Sequence, residues 1–150
     1  MTGVQTCALP ISQPPLSIFY QLLQFRDQRR KGGGMEVIAT TLTEQDMRDI
    51  AAHYATLPAP APQAGGDAQK IARGQQIAQQ QYCSSCHGAQ LQGQKHVPRL
   101  SGQSHTYFVT QLRNLRSGAR ADMDGTMASA ARSLTDEEID AMAAYARSLP

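Results

Sequence analysis

One pentapeptide, Cys83-Ser84-Ser85-Cys86-His87, constrains this chain more than any other stretch of it. Two thiols two residues apart, with an imidazole directly after the second, form the attachment pattern of a c-type haem. Each thiol can add to one vinyl group of the porphyrin, and the neighbouring imidazole then points at the iron. Such a fold must bury a flat ring and leave one edge near its surface. Other uses of paired cysteines find less support. Zinc requires four ligands, and Cys7, His96 and His105 do not stand at ligand spacing. A thioredoxin-type dithiol sits in a βαβ unit, and no strand pattern precedes Cys83. Zinc and dithiol chemistry remain the alternatives at this point.

The 150 residues suit one domain, or one domain and a fragment. Alanine is abundant, tryptophan is absent and β-branched runs are scarce, which predicts an all-α fold. The formal charge of +2, from 14 basic and 12 acidic residues, is too small to imply nucleic acid or a polybasic membrane anchor. No run of 18 apolar residues occurs, so no transmembrane segment is expected.

The start of the chain is foreign to this pattern. Residues 1–11 read MTGVQTCALPI, which lacks the basic and apolar regions of a signal peptide and resembles a translated sequencing adapter. We set it apart as a non-native leader, and Cys7 with it. The true N-terminus, and any signal peptide, are expected to be lost.

Beyond the leader the chain repeats itself. Residues 35–58 and 127–150 align without a gap at an offset of 92, with eight identities in 24 positions, among them Met35/Met127, Leu42-Thr43/Leu134-Thr135 and Leu57-Pro58/Leu149-Pro150. Upstream the offset is 90: Gln21-Leu22 matches Gln111-Leu112, Arg26 matches Arg116, and Arg30 matches Arg120. Residues 12–58 thus read as the C-terminal half of a first domain without a CxxCH, residues 59–66 as a Pro/Ala/Gly linker, and residues 67–150 as a complete copy.

Within that copy, Asp67 to Tyr82 is a predicted helix with Ile71, Gly74, Ala78 and Tyr82 on one face. A glycine there predicts the close approach of a second helix. Tyr107 to Arg116 is another, with Phe108, Gln111, Leu112 and Leu115 inward. Residues 117–125 form a polar loop. Thr135 and Glu138 make a capping box for a last helix whose stripe is Ile139, Met142, Ala143, Ala146 and Leu149. On the other side of the iron a thioether would raise the reduction potential relative to a second imidazole. Met127 is the preferred ligand because Met35 occupies the equivalent place in the first copy, and Met123, which lacks a counterpart, is the alternative. Met142 reads as core. Both candidate methionines fall in what reads as a flexible loop ahead of the capped helix. The Pro98 carbonyl is the candidate acceptor for the other ring nitrogen of His87. His96 and His105 read as exposed, and His53, aligned with Tyr145, as a packing residue.

These features together resemble the class I cytochromes c, in particular the dihaem cytochrome c4 and c553-like type. The residues that carry the resemblance are the Cys83–Gly88 motif, residues 98–103 (PRLSGQ), Tyr107 with Gln111-Leu112, Met127, and residues 134–139 (LTDEEI) running into Ala144-Tyr145. The resemblance implies an all-α class I cytochrome c fold with terminal helices crossing near Gly74 and Tyr145. It implies haem c bound through Cys83 and Cys86, contacted by Pro98 and Leu100, with His87 and Met127 as axial ligands. One haem is expected in this chain and two in a full-length parent. The implied role is that of a single-electron carrier, not an enzyme, in a periplasmic respiratory chain. Its expected partners are a terminal oxidase or a bc1-type complex, with peripheral membrane association compatible and no nucleic acid. A haem-bearing subunit of an enzyme complex, such as a flavocytochrome c sulfide dehydrogenase, is the alternative. A haem enzyme or gas sensor with a vacant axial position is a third reading.

Overall fold

A computed structural model describes residues 11–63 and 66–150; residues 1–10 of the expected leader, including Cys7, and residues 64–65 of the expected linker lie outside the described residues. Among the described residues the chain forms eight helices and no strand. They are α1 (Pro15–Arg26), α2 (Met35–Thr40), α3 (Glu44–Thr56), α4 (Ala68–Gln80), α5 (Cys83–His87), α6 (His105–Ser117), α7 (Thr126–Ala131) and α8 (Asp136–Ser148). An isolated bridge between Gln94 and Val97 closes a small turn.

Local chemistry explains the ends of these helices. Asp67 caps α4 by accepting the N–H groups of Gln69 at 2.9 Å and Lys70 at 3.3 Å. Thr135 and Glu138 form the expected reciprocal box at the start of α8, and Thr43 with Asp46 does the same for α3. The helix limits follow the sequence repeat: α3 and α8 are displaced by 92 positions at both ends, and α1 and α6 start 90 apart.

Helices α4 and α8 cross where Gly74 was expected to admit a neighbour. A Cβ on Gly74 would stand 2.1 Å from the Ala141 carbonyl oxygen and 2.8 Å from the Tyr145 Cβ. Only hydrogen fits there. Around this crossing lies one apolar cluster, with Ile77, Phe108, Leu112, Leu115, Leu134, Ile139 and Met142 among its members. Ile77 and Ile139 are its largest fully buried side chains. A second cluster of Ile18, Phe19, Leu22, Met47 and Ala51 sits among α1, α2 and α3.

Three expectations are corrected. Tyr82 lies beyond the end of α4, is 76% exposed and adopts a left-handed conformation (φ 54°), so it belongs to a turn and not to the apolar face. The stretch carrying Met127 is the helix α7, not a loop. His53 is exposed and meets only the edge of Tyr54 at 5.5 Å, because no described helix covers that side of α3. His96 is exposed as expected, and half-buried His105 opens α6 and pairs with Asp140 at 2.9 Å.

The segment α1–α3 docks on α4–α8 through polar contacts. Gln13 Nε2 donates to the Arg99 carbonyl at 2.9 Å, and the Arg99 N–H returns a bond to Gln13 Oε1 at 2.8 Å. Arg30 donates to the Tyr107 hydroxyl at 2.6 Å, and Arg120 to Gln21 Oε1 at 3.0 Å. The linker is fastened too, with the Gln63 N–H donating to the Arg147 carbonyl at 3.2 Å.

Candidate haem site

The site is built on α5, a single turn between two sharp bends. Left-handed Tyr82 redirects the chain at its start, and Gly88, with φ 85°, releases it at the end. One turn therefore presents Cys83, Cys86 and His87 together. Both thiols are free, with Cys83 half-buried against the main core and Cys86 exposed. Burial pushes the Cys83 thiol up from its ordinary value, so its sulfur is protonated at neutral pH.

The loop after α5 folds back on it. Gly93 N–H donates to the His87 carbonyl at 2.7 Å, Gln94 Nε2 to the Cys86 carbonyl at 2.9 Å, and Leu100 N–H to the Leu91 carbonyl at 2.7 Å. Gly93, with φ 78°, is needed because a Cβ would stand 2.5 Å from the Arg99 nitrogen. This return brings Pro98 to His87, whose Nδ1 lies 2.8 Å from the Pro98 carbonyl. A carbonyl can only accept, so Nδ1 carries the proton and Nε2 keeps its lone pair. His87 is 3% exposed, and its Nε2 is buried with no partner. Burial lowers the His87 pKa, opposed by the Pro98 bond, so the ring is neutral at pH 7. Leu100 packs, half-buried, against the main core.

The two methionines are placed differently. Met127 lies in the first turn of α7, half-buried against the same core as Cys83 and Leu100. Its N–H donates to Asp122 Oδ2 at 2.6 Å. Asp124 accepts the Thr126 N–H at 3.0 Å, and its bonds to Thr126 hold its carboxyl below the usual range. Two carboxylates thus pin the turn that carries Met127, while Met123 between them is 46% exposed. Sequence reasoning missed Asp122 and Asp124; aspartates just ahead of a short helix are the capping signal that could have found them. A cleft of about 520 Å³ opens between Gln81, just before α5, and Asp124, Thr126, Ser129 and Ser133 at α7.

These residues fit a covalently held haem. A buried neutral imidazole with an unfilled nitrogen is an iron ligand in waiting, and two thiols stand on its own turn. Among the described residues no group of three or more His, Cys, Asp or Glu could hold a bare metal ion, which weakens the zinc reading.

The family model for cytochrome c matches residues 71–150. Cytochrome c4 of Thiocapsa roseopersicina is 38% identical over 146 residues, covering 91% of this chain and 76% of that protein. The chain belongs to the cytochrome c4 family. It is a c-type cytochrome and an electron-transfer protein, and its family implies covalently bound haem c. The solved cytochrome c4 of Acidithiobacillus ferrooxidans superposes with a TM-score of 0.83 at 25% identity, covering 99% of this chain and 94% of that one. A protein of Stutzerimonas stutzeri (strain A1501) named thiosulfate dehydrogenase electron acceptor is 33% identical, covering 83% of this chain. The chain spans 62% of that relative's length.

Proposed function

We propose that this cytochrome carries single electrons in a periplasmic respiratory chain through one haem, bound by thioether bonds to Cys83 and Cys86 and ligated axially by His87 and Met127. The observation that carries this reading is the buried, unfilled Nε2 of His87, with Nδ1–H committed to the Pro98 carbonyl. When bound, the haem supplies a one-electron Fe(II)/Fe(III) couple. The chain supplies the rest. Pro98 fixes the tautomer of His87, Leu100 and the core exclude water, and Asp122 holds the α7 turn that carries Met127. With both axial positions filled, no substrate has a coordination site.

The second reading, an electron-accepting partner or subunit of a dehydrogenase, is favoured by the Stutzerimonas relative named as an acceptor for thiosulfate dehydrogenase. A solved thiosulfate dehydrogenase (TsdBA) of Marichromatium purpuratum also superposes with a TM-score of 0.81 at 26% identity, this chain covering 33% of that one. Stable co-purification with a dehydrogenase would select this reading over a freely diffusing carrier docking transiently on an oxidase or bc1-type complex.

The test is expression in a host competent in c-type maturation. A pyridine haemochrome assay should count one haem per chain, resistant to acidified acetone, and the Cys83→Ser, Cys86→Ser double variant should lose it. Met127→Ala should abolish the thioether-to-iron charge-transfer band of the oxidised protein, while Met123→Ala keeps it. The reverse pattern would overturn the Met127 assignment.

A further inference from the structure

The two copies differ in character where each turns back before its short helix. In the first copy this connection covers residues 27–34 and leads into α2; in the second it covers residues 118–125 and leads into α7. Arg29 and Lys31 of the first connection are exposed, and among the described residues neither is in an ion pair. The nearby carboxylates are engaged: Asp27 pairs with Arg26 at 3.0 Å, and Glu36 accepts the N–H groups of Gly32 at 2.9 Å and Gly34 at 3.0 Å. Those bonds fasten the turn to the head of α2. Gly33 and Gly34 have φ 63° and 120°, and a Cβ on either would meet nothing within 4 Å, so the turn projects into open space. On the helix beyond it Val37 is 72% and Ile38 54% exposed. The second connection is acidic instead, with Asp122 and Asp124 flanking Met123, and the equivalents of Val37 and Ile38 are Ser129 and Ala130. Ser129 and Ala130 are exposed as well, in a copy that has its α4 and α5. The fold thus leaves this face open even when complete, and the first copy alone places large aliphatic side chains on it.

We infer that the turn between α1 and α2 rests on the surface of a bilayer containing anionic lipid, with Val37 and Ile38 in the boundary between headgroups and acyl chains and Arg29 and Lys31 on lipid phosphates. Charge complementarity names the partner: two unpaired cations beside two exposed aliphatic side chains suit a surface that is negative outside and apolar just beneath. Each signal is small alone, and together they give reversible attachment. Among the described residues no helix is long and apolar enough to cross a membrane, so contact through a projecting turn is the mode that fits. The chain's net charge of +2 hides this feature, because the acidic second connection offsets the basic first one. The inference goes beyond the haem reading and does not depend on it.

The test is co-sedimentation of the full chain with vesicles of phosphatidylcholine alone and of phosphatidylcholine with about one quarter phosphatidylglycerol. Bound protein is measured on gels, so the result is read whether or not haem is attached. The wild-type protein is expected to bind the anionic vesicles, to bind the neutral ones far less, and to be released as salt rises. Arg29→Gln and Lys31→Gln should each weaken partitioning about fivefold. Val37→Ser with Ile38→Ala, which writes the second copy's residues into the first, should weaken it about tenfold or more. Arg132→Gln, at an exposed cation of the second copy, should change it little. All these positions are exposed, and circular dichroism checks that each variant is folded. Absence of vesicle binding, binding that survives the Val37/Ile38 double variant, or equal weakening by Arg132→Gln overturns the inference. A dimer in sedimentation velocity that the same double variant abolishes, without vesicle binding, also overturns it and gives the face to a second copy of the chain.

Discussion

Helices α3 and α8 start from the same device and reach different ends. Each is 13 residues long, opens with a threonine capping box and closes on Leu-Pro. Yet α8 buries Ile139, Ala141, Met142, Ala143 and Ala146, while α3 buries only Met47 and Ala51. At the offset of 92, Asp49 stands where α8 has Ala141, and Tyr54 where it has Ala146. Capping and periodicity make a helix in both places. Small residues on a second face let α8 take α4 on one side and α6 on the other, whereas α3 packs on α1. The difference teaches that the cap sets where each helix begins, and the size of the side chains at the crossing decides how much of a core it can share.

The sharpest way to break this comparison is Gly74→Ala. In a free helix interior the change would stabilise by about 1 kcal/mol. Here the new methyl meets the Ala141 backbone at 2.1 Å, and the expected net loss is about 3 kcal/mol. Asp49→Ala, on the open face of α3, should stay within about 0.5 kcal/mol. Urea denaturation followed by circular dichroism measures both; a stable Gly74→Ala protein would mean that α4 and α8 do not cross this tightly.

Removing the caps should erase the contrast. Thr135→Ala and Thr43→Ala are each expected to cost about 1 kcal/mol, because each leaves one helix-end N–H unpaired. Unequal losses in the same denaturation series would show that the two boxes differ in more than their packing.

The smallest effect is acid sensitivity. The hydrogen bond from Lys70 holds the Asp140 carboxyl below its ordinary value against the opposing effect of burial, with the charges of Lys70 and His105 adding to the lowering. Because the folded carboxyl is the stronger acid, its contribution is present above the usual carboxylate range and is lost as pH falls through its lowered value. Asp140→Asn should flatten the acid limb of the stability profile slightly, since the pair is exposed enough for water to screen it. Arg48 holds the equivalent place on α3, so no matching change is expected there.

What could be read from the sequence was local. CxxCH, the Thr135 box, the inward residues Phe108, Leu112, Ile139 and Met142, and glycine at position 74 all speak within a few residues of themselves. The helix α7 was not legible, because TMASAA has no apolar period and its N-terminal turn is held by Asp122 and Asp124, which reach forward from outside it. Tyr82 continued an apolar spacing but marks the bend that frees α5. Arg30 and Arg120 showed only as a repeat match; that they share one acceptor and keep buried Nε–H groups depends on docking two segments about 90 residues apart in the chain.

The fastening of the linker has a consequence for how the copies stay together. Besides the Gln63–Arg147 bond, Pro60 lies against Gly102, where a Cβ would come 3.2 Å from the Pro60 oxygen. A short tether of this kind holds its two ends at an effective concentration in the millimolar range. An interface worth about 4 kcal/mol, too weak to unite separate chains, is then enough to keep the halves joined for much of the time. Polar contacts as few as those of Gln13, Arg30 and Arg120 can therefore persist without a large apolar seam between the copies.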